Sequence, residues 1–286
     1  MRGEHVVGQS AEERKDIPAG LTYGEMQNFD GAGRTITGTS IFDPVLCELV
    51  YRWFCPPRGL VLDPFAGGSV RGIVASRLNR PYVGIDLRAE QVAANRAQAD
   101  AIAIDPMPVW HVGDSRNIRK IAKGVRADLV FSCPPYADLE VYSDDPADLS
   151  TLDYPAFRAA YATIIAETCA MLNDDRFAVF VVGDARGPDG CYYGFPWDTV
   201  DAFRSAGMRL YNEAVLVTAL GSLPMRVGRQ FAASRKLGKT HQNVLCFVKG
   251  DPVKATKAIG DVEFRDPAEE PAGEDRDDDG DEDDAG

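Results

Sequence analysis

Apolar residues are concentrated in seven short runs, which are separated by longer stretches of mixed character. Within each run the apolar residues follow one another instead of alternating with polar ones. A continuous apolar run of this length is typical of a β-strand that is covered on both faces. The predicted strands are residues 60–67, 81–86, 109–114, 127–133, 177–184, 210–218 and 243–250.

Most of these runs are separated by segments whose apolar residues recur at helical spacing. The predicted helices are residues 42–54, 68–78, 88–102, 154–172 and 195–207. Alternating strands and helices indicate crossover connections and a mostly parallel sheet. No helix is predicted between the last two strands, so one strand should run antiparallel near an edge. We therefore expect an α/β fold with a single doubly wound, mostly parallel seven-stranded sheet.

The chain divides into a folded body and two polar flanks. Residues 1–35 are polar, lack periodicity and predict a flexible segment, the body covers 36–252, and 253–286 form a tail. Residues 261–286 hold 14 Asp and Glu against two Arg, whereas the rest of the chain has 30 acidic and 29 basic residues. Residues 261–286 therefore carry −12 of the net charge of −13, and the tail is predicted to be disordered.

Two interpretations of the acidic tail remain open. It either keeps the protein in solution or mimics DNA by competing for a basic face. In the second case, deletion of residues 264–286 should tighten DNA binding at low salt.

The composition predicts an intracellular protein. The N-terminus lacks the apolar centre of a signal peptide, and no run is long enough to cross a membrane. The six cysteines form no paired framework, which favours a reducing, cytoplasmic setting. The three histidines are scattered, so no metal site is predicted.

Four predicted strands end in residues that can carry chemistry. Asp63, Asp86 and Asp114 close the first three, and the fourth runs into the sequence 133–136, CPPY. Ligands of such sheets collect outside the carboxyl ends of the strands, so these residues should converge on one site.

A glycine-containing turn, residues 63–69 (DPFAGGS), follows the first strand. It lacks the Gly-Lys-Ser/Thr of a phosphate loop and the third glycine of a dinucleotide fingerprint. Asp86, about 20 residues further on, is placed to accept hydrogen bonds from a ribose, and Asp114 offers another acceptor. The pattern predicts a nucleoside ligand without a phosphate at the turn.

These segments resemble the cofactor motifs of S-adenosylmethionine-dependent DNA amino-methyltransferases, a family with a Rossmann-like methyltransferase fold. The resemblance rests on DPFAGGS, GIDLR and GDS, with GTSIFDP (38–44) upstream, and covers about residues 36–250. It is strongest to phage and bacterial DNA methylases. It implies that Asp86 holds the ribose of S-adenosyl-L-methionine and Asp114 the adenine. The residues implied for its methionine end are Phe42, Asp43, Pro44, Asp63, Pro64, Phe65, Ala66, Gly67, Gly68 and Ser69.

The segment 131–136, FSCPPY, resembles the catalytic motif of the same family: Asp, Asn or Ser, then two prolines and an aromatic residue. An exocyclic amine of adenine or cytosine is a poor nucleophile, because its lone pair is delocalised into the ring. In the family, the first side chain and the carbonyl of the first proline accept hydrogen bonds from this amine. The resemblance assigns these parts to Cys133 and Pro134, with Pro135 stiffening the chain and Tyr136 stacking on a flipped base.

Cys133 departs from the family pattern, since a thiol is a weak acceptor. Three explanations stay open. Cys133 replaces serine while the Pro134 carbonyl does most of the work; Ser132 contributes or the enzyme is slow; or the protein binds without methylating. A nucleophilic cysteine is disfavoured, because C5-cytosine enzymes place theirs after the proline.

A dense basic run between the last two strands predicts a DNA-binding loop. Its glycines indicate a mobile loop, and an ordinary solvated loop is the alternative. Phosphate contacts would come from Arg226, Arg229, Arg235, Lys236, Lys239 and His241. The implied partner is double-stranded DNA with a flipped base. Little chain remains for a target-recognition domain, so low specificity, a short site, a homodimer or a specificity partner all stay open.

The leading hypothesis is an enzyme that methylates N6 of adenine or N4 of cytosine in DNA. A second keeps the cofactor and changes the acceptor to RNA or a protein amide. A third is a non-catalytic, DNA-binding regulatory protein. The family resemblance implies a bacterial or phage-infected cell, with restriction–modification, regulation and marking of phage DNA all open as purposes.

Overall fold

The computed structural model describes residues 42–135, 145–218 and 223–262. These residues build one seven-stranded sheet with the order β3-β2-β1-β4-β5-β7-β6. The strands are β1 Val61–Asp63, β2 Tyr82–Asp86, β3 Val109–Val112, β4 Ala127–Ser132, β5 Leu172–Val182, β6 Arg209–Val217 and β7 His241–Lys249.

The strand directions confirm the predicted topology. Strands β1 to β5 are mutually parallel, and the chain crosses from β3 on one edge to β4 beside β1. Strand β7 runs antiparallel to both β5 and β6, so it is the antiparallel strand next to the sheet edge. Strand β6, on the edge itself, therefore points in the same direction as the central strands.

Helices connect the strands and cover both faces of the sheet. They are α1 Pro44–Phe54, α2 Val70–Arg77, α3 Ala89–Ala101, α4 Ile118–Ile121, α5 Tyr154–Met171, α6 Phe195–Ser205, α7 Leu223–Ser234 and α8 Pro252–Ile259. Local sequence explains several starts. Asp43, Asp153 and Asp251 each accept backbone N–H bonds at the first turn of α1, α5 and α8, and a proline follows each in that turn.

The central strands bury both of their faces, as their continuous apolar runs predict. In β5, Ala178, Phe180 and Val182 pack into one core, with residues of α5 and α6. Phe177, Val179 and Val181 alternate with them and pack into a second core, with residues of α1, α2, α3 and α8. Each core thus lies between one sheet face and its helices.

Two segments differ from the predictions. The basic run was predicted as a mobile loop, but its first half belongs to helix α7, where Leu223, Val227 and Phe231 recur every four residues. Gly228 in the helix interior weakens the sequence signal, since glycine there costs about 1 kcal/mol relative to alanine. Helix α8 follows the predicted end of the body at residue 252, and its Ala255 and Ile259 are buried, so the folded body extends through this helix.

The predicted flexible segment 1–35 lies outside the described residues, as does the tail from residue 263 onward. Across the described ranges, no helix is both long and apolar enough to span a lipid bilayer.

Candidate functional site

The carboxyl ends of β1, β2, β3 and β4 meet at one edge of the sheet. Leu62 pairs with Val130, which sets Asp63 beside the end of β4, and Asp63 itself pairs with Gly84 of β2. The structure therefore brings together the strand-end residues that the sequence selected.

Asp63 is the structural centre of this edge. Its carboxylate is fully buried and accepts hydrogen bonds from four protein donors. They are Phe65 N (3.1 Å), Ser132 Oγ (2.5 Å), Arg71 Nε (2.6 Å) and Tyr82 Oη (2.8 Å). Asp63 thus fixes the turn and the end of β4 through these hydrogen bonds. The family resemblance assigns Asp63 to the methionine end of the cofactor.

Arg71, on α2, is a functional residue that the sequence analysis missed. Its Nη2 donates to the carbonyl oxygens of Phe65 (2.6 Å) and Ala66 (2.9 Å), while its Nε binds Asp63. Burial by itself would lower the pKa of the guanidinium, but the charge and hydrogen bond of Asp63, together with Tyr82 and Cys133, raise the pKa above its ordinary value. Arg71 therefore stays charged and fixes the backbone of the turn.

The glycine turn presents an open surface. Gly67 has φ +49°, in the left-handed region that glycine adopts without strain, and its N–H donates to Asp86 Oδ2 at 2.9 Å. Its carbonyl accepts from Asn95 Nδ2 at 2.7 Å, and Ser69 Oγ donates to Gln98 Oε1 at 2.5 Å. A Cβ added to Gly67 or Gly68 would meet no atom within 4 Å, so the turn leaves room for a ligand.

Asp86 is partly exposed beside this open surface. Oδ2 accepts from Gly67 N and Oδ1 accepts from Arg88 N at 2.9 Å, which leaves each oxygen with a further lone pair. Burial raises the pKa of Asp86 above its ordinary value, although the two backbone hydrogen bonds and Arg88 oppose the shift. The position suits an acceptor for ligand hydroxyl groups.

The end of β3 is tied to the same turn. Ser115 Oγ donates to the carbonyl of Pro64 at 2.6 Å. The neighbouring Asp114 accepts from Arg116 N (2.9 Å) and Arg116 Nε (2.7 Å), with its side chain 23% exposed. Asp114 therefore lies at this edge of the sheet, but its carboxylate already forms an ion pair with Arg116.

The upstream segment 42–44 lies across the buried pair. The Phe42 ring is 4.7 Å from the Arg71 guanidinium and packs edge-on against Phe131. Asp43 is exposed and caps α1 through Val45 N at 2.8 Å, and Pro44 is exposed at the first position of that helix. Of the three predicted contacts, Phe42 is the one that reaches the centre of the site.

The predicted catalytic segment continues directly from β4. Cys133 is half-buried against the core that holds Phe131, Pro134 is buried and Pro135 is half-buried. Ser132 is fully buried and donates to Asp63, so its hydroxyl supports the turn. Tyr136 lies outside the described residues.

The six predicted DNA-binding residues separate into two groups. Arg235, Lys239 and His241 line a cleft of about 520 Å³ near the ends of β5 and β6. Arg226 and Arg229 lie on α7, and Lys236 does not line the cleft. Burial lowers the pKa of Lys239.

The opposite side of this cleft was not predicted. It is lined by Asp184, Arg186, Tyr192 and Trp197. Asp184 lies just beyond the end of β5, and Asp63 is the last residue of β1, so the rule that selected residues at strand ends also identifies Asp184 in retrospect. No sequence pattern singles out the other three. Over the described ranges, no group of three or more His, Cys, Asp or Glu side chains is arranged to hold a metal ion.

Comparisons with known proteins give likeness in structure only. No family model matches the sequence, and no curated protein matches it. The cyclase SpnF is 13% identical with a TM-score of 0.50, over 72% of this chain and 81% of SpnF. TrmN from Thermus thermophilus is 16% identical with a TM-score of 0.49, over 73% of this chain. An rRNA methylase from Streptococcus thermophilus is 10% identical with a TM-score of 0.47, over 74% of this chain and all of that one.

The matched region spans about half of the TrmN chain, 49%. At these identities a structural likeness establishes only the arrangement of strands and helices. The chain therefore shares the doubly wound α/β fold of SpnF.

Proposed function

We propose that this chain is an S-adenosylmethionine-dependent methyltransferase that acts on an exocyclic amine of a DNA base, N6 of adenine or N4 of cytosine. The observation that carries the proposal is the hydrogen bond from Ser132 Oγ to Asp63 Oδ1, 2.5 Å long. It joins the end of the glycine-turn strand to the residue that precedes Cys133-Pro134-Pro135. A nucleoside-type site and an amine-binding motif thus share one edge of the sheet.

The residues at the glycine turn fit this cofactor. Gly67 and Gly68 leave space where any side chain would protrude, and Asp86 retains acceptor capacity for ribose hydroxyls. Arg71, the buried cation of the turn, donates hydrogen bonds to Asp63 and to two carbonyl oxygens, so its guanidinium is not available to bind a phosphate. A nucleoside without phosphate at the turn suits these donors and acceptors.

The bound cofactor would supply an electrophilic methyl group on a sulfonium. The work of this chain is to orient the acceptor amine toward that group. We assign two hydrogen-bond acceptors to the amine, the carbonyl oxygen of Pro134 and the thiol sulfur of Cys133. Acceptors at both N–H groups favour a pyramidal nitrogen with its lone pair free to attack. The nitrogen then loses one proton to solvent, and no strong base is required.

DNA is the acceptor that we favour, for two reasons. The sequence CPPY resembles the motif of enzymes that methylate base amines. In addition, the cleft at the adjacent strand ends places Arg235, Lys239 and His241 at the same edge of the sheet, where they can contact phosphates.

The test is transfer of a labelled methyl group. The full chain is incubated with methyl-labelled S-adenosylmethionine and unmethylated DNA, and the DNA is digested to nucleosides. We expect label in N6-methyladenine or N4-methylcytosine, and its absence in a Pro134→Gly, Pro135→Gly variant that binds the cofactor normally.

The same reaction with total RNA in place of DNA discriminates the acceptor. Label in RNA alone would replace DNA by RNA as the substrate. Cofactor binding without transfer to either polymer would support a non-catalytic role.

A further inference from the structure

A cleft outside the cofactor site combines positive charge with exposed aromatic rings. The lining residues that matter here are Asp184, Arg186, Tyr192, Trp197, Arg235 and Lys239. Its volume, about 520 Å³, is within the range of sites for small organic groups. Three basic side chains, Arg186, Arg235 and Lys239, face one carboxylate, so the net positive charge of the cleft attracts anions.

The single carboxylate is already occupied by the protein. Asp184 Oδ1 accepts from Gly194 N (3.0 Å) and Phe195 N (3.2 Å) at the start of α6. Its charge thus faces the positive end of a helix instead of a ligand. Asp184 also attracts Lys239, so the attraction of the cleft for a phosphate comes from the excess of three basic groups over one carboxylate.

Two aromatic rings are exposed in the same cleft. Trp197 is 69% exposed and Tyr192 is 43% exposed, in contrast to the buried rings of the core. The guanidinium carbon of Arg186 lies 3.7 Å from the centre of the Tyr192 ring. Flat exposed rings next to cations are typical of surfaces on which nucleobases stack.

The wall that carries Tyr192 is rigid. Backbone hydrogen bonds close the hairpin 185–193, from Tyr193 N to Ala185 O (2.9 Å) and from Gly187 N to Cys191 O (2.9 Å). Tyr193 stacks on Tyr154 at 4.0 Å between ring centres. The Tyr154 hydroxyl donates to Asp198 of α6, the helix that bears Trp197. The backbone that carries the two rings is therefore fixed by these contacts, and the Tyr192 ring is also held against Arg186.

The strand register sets the cleft next to the proposed catalytic segment. Ser132 pairs with Phe180, so Asp184 lies four residues further along the neighbouring chain segment, two residues past the end of β5. Four residues span no more than about 14 Å, so Asp184 lies within that distance of Phe180, beside the end of β4. Val182 pairs with Asn243, which brings the start of β7, with His241, to the same edge.

We propose that this cleft binds the DNA nucleotides that flank the target base, with a base stacked on Trp197 and its phosphate paired with Arg235 and Lys239. This inference rests on the proposed function. It assigns a binding site to the nucleotides beside the target base, for which the cofactor and catalytic motifs supply no contacts. A stacking site of this kind tolerates every base, so it accounts for DNA binding without a separate recognition domain.

The test is binding of an unmethylated DNA duplex, followed by the fluorescence of Trp197. We expect Trp197→Ala to weaken binding about tenfold and Trp197→Phe to weaken it less than about threefold, since a phenyl ring still stacks. DNA should quench wild-type fluorescence, and Trp197→Phe should remove most of that change. Arg235→Ala should lower the slope of log K against log salt by about one.

Trp53→Ala is the matched control, because Trp53 is also exposed (41%) and lies at the end of α1, away from the cleft. Unchanged DNA affinity in Trp197→Ala, or an equal loss in Trp53→Ala, would overturn the inference. The two proposals fail separately. Normal methylation with an unchanged KM in Trp197→Ala refutes the cleft alone, whereas weakened binding without any methylation refutes the reaction alone.

Discussion

Arg71 and Asp63 form a buried ion pair, with 2.6 Å between Arg71 Nε and Asp63 Oδ2 and side chains that are 5% and 0% exposed. The pair also holds the carbonyls of Phe65 and Ala66, so it supports both the fold and the open glycine turn. Removal of the cation from a buried ion pair strongly destabilises the folded state, because the carboxylate stays buried without a partner.

Arg71→Met should therefore lower the free energy of unfolding by about 3–5 kcal/mol, because Asp63 would remain buried without its cation. Urea denaturation measures the change. The control is Arg52→Met, which breaks an exposed ion pair with Glu48 and should cost less than about 0.5 kcal/mol. Equal decreases in the free energy of unfolding of the two variants would show that the buried pair contributes no more to stability than the exposed pair.

Gly68→Ala should separate ligand binding from folding. The added methyl group meets no protein atom within 4 Å, so the free energy of unfolding should change by less than about 0.5 kcal/mol. The methyl group would occupy space that we assign to the cofactor, so calorimetry should show S-adenosylmethionine binding at least about tenfold more weakly, ~1.4 kcal/mol.

Gly228→Ala in α7 provides the comparison for this variant, since its methyl group also meets no atom within 4 Å. It should stabilise the helix by about 0.5–1 kcal/mol and leave cofactor affinity unchanged. Normal affinity in Gly68→Ala would move the cofactor away from the turn.

Asp86→Asn should change the dependence of stability on pH. Burial raises the pKa of Asp86 above its ordinary value of 3.8, so its protonated form is favoured in the folded chain. The contribution of Asp86 to stability is thus present below pH 3.8 and is lost as the pH rises through the raised pKa. As the pH rises through the raised pKa, the free energy of unfolding of the wild-type chain should therefore fall relative to that of Asp86→Asn. Urea denaturation at a series of pH values measures this difference.

A stability difference between wild type and Asp86→Asn that does not vary with pH would contradict a raised pKa. Cofactor affinity gives an independent reading of the same group. A carboxylate accepts ribose hydroxyls better than a carboxylic acid, so affinity should fall as the pH is lowered through the raised pKa, and Asp86→Asn should abolish that fall.

Cys133→Ser should retain methyl transfer, with kcat within about threefold of wild type, because serine offers an acceptor of similar shape. Cys133→Ala removes the acceptor without adding bulk, and the loss of one hydrogen bond of about 1.4 kcal/mol would lower kcat about tenfold. Initial rates with labelled cofactor compare the three proteins. Complete inactivity of Cys133→Ser would instead point to chemistry that requires the thiol.

The sequence predicts the sheet because its apolar runs are continuous. The strand predicted at 177–184 corresponds to β5, which is covered on both faces, and that burial requires a continuous apolar composition. The convergence of Asp63, Asp86 and Asp114 could be predicted because parallel strands place their carboxyl ends at one edge of the sheet.

The contacts that support the site could not be predicted in this way. Arg71 reads as an ordinary surface cation of an amphipathic helix, and only the folded chain shows that it is 4% exposed. Tyr192 lies in a connecting segment and Trp197 lies in the first turn of α6, so no shared sequence period links them to Arg235 or Lys239. The helix α7 was missed because the glycine at 228 masks the four-residue spacing of its apolar side chains.

The hydrogen bond between Ser132 and Asp63 makes the two halves of the site a single mechanical unit. A ligand that orders the glycine turn also restrains the chain entering Pro134, and a base seated there restrains the turn in return. Linkage requires the two binding free energies to be coupled by equal amounts in both directions. Cofactor and DNA should accordingly bind with positive cooperativity, and the affinity of each partner becomes a measure of how well the other is seated.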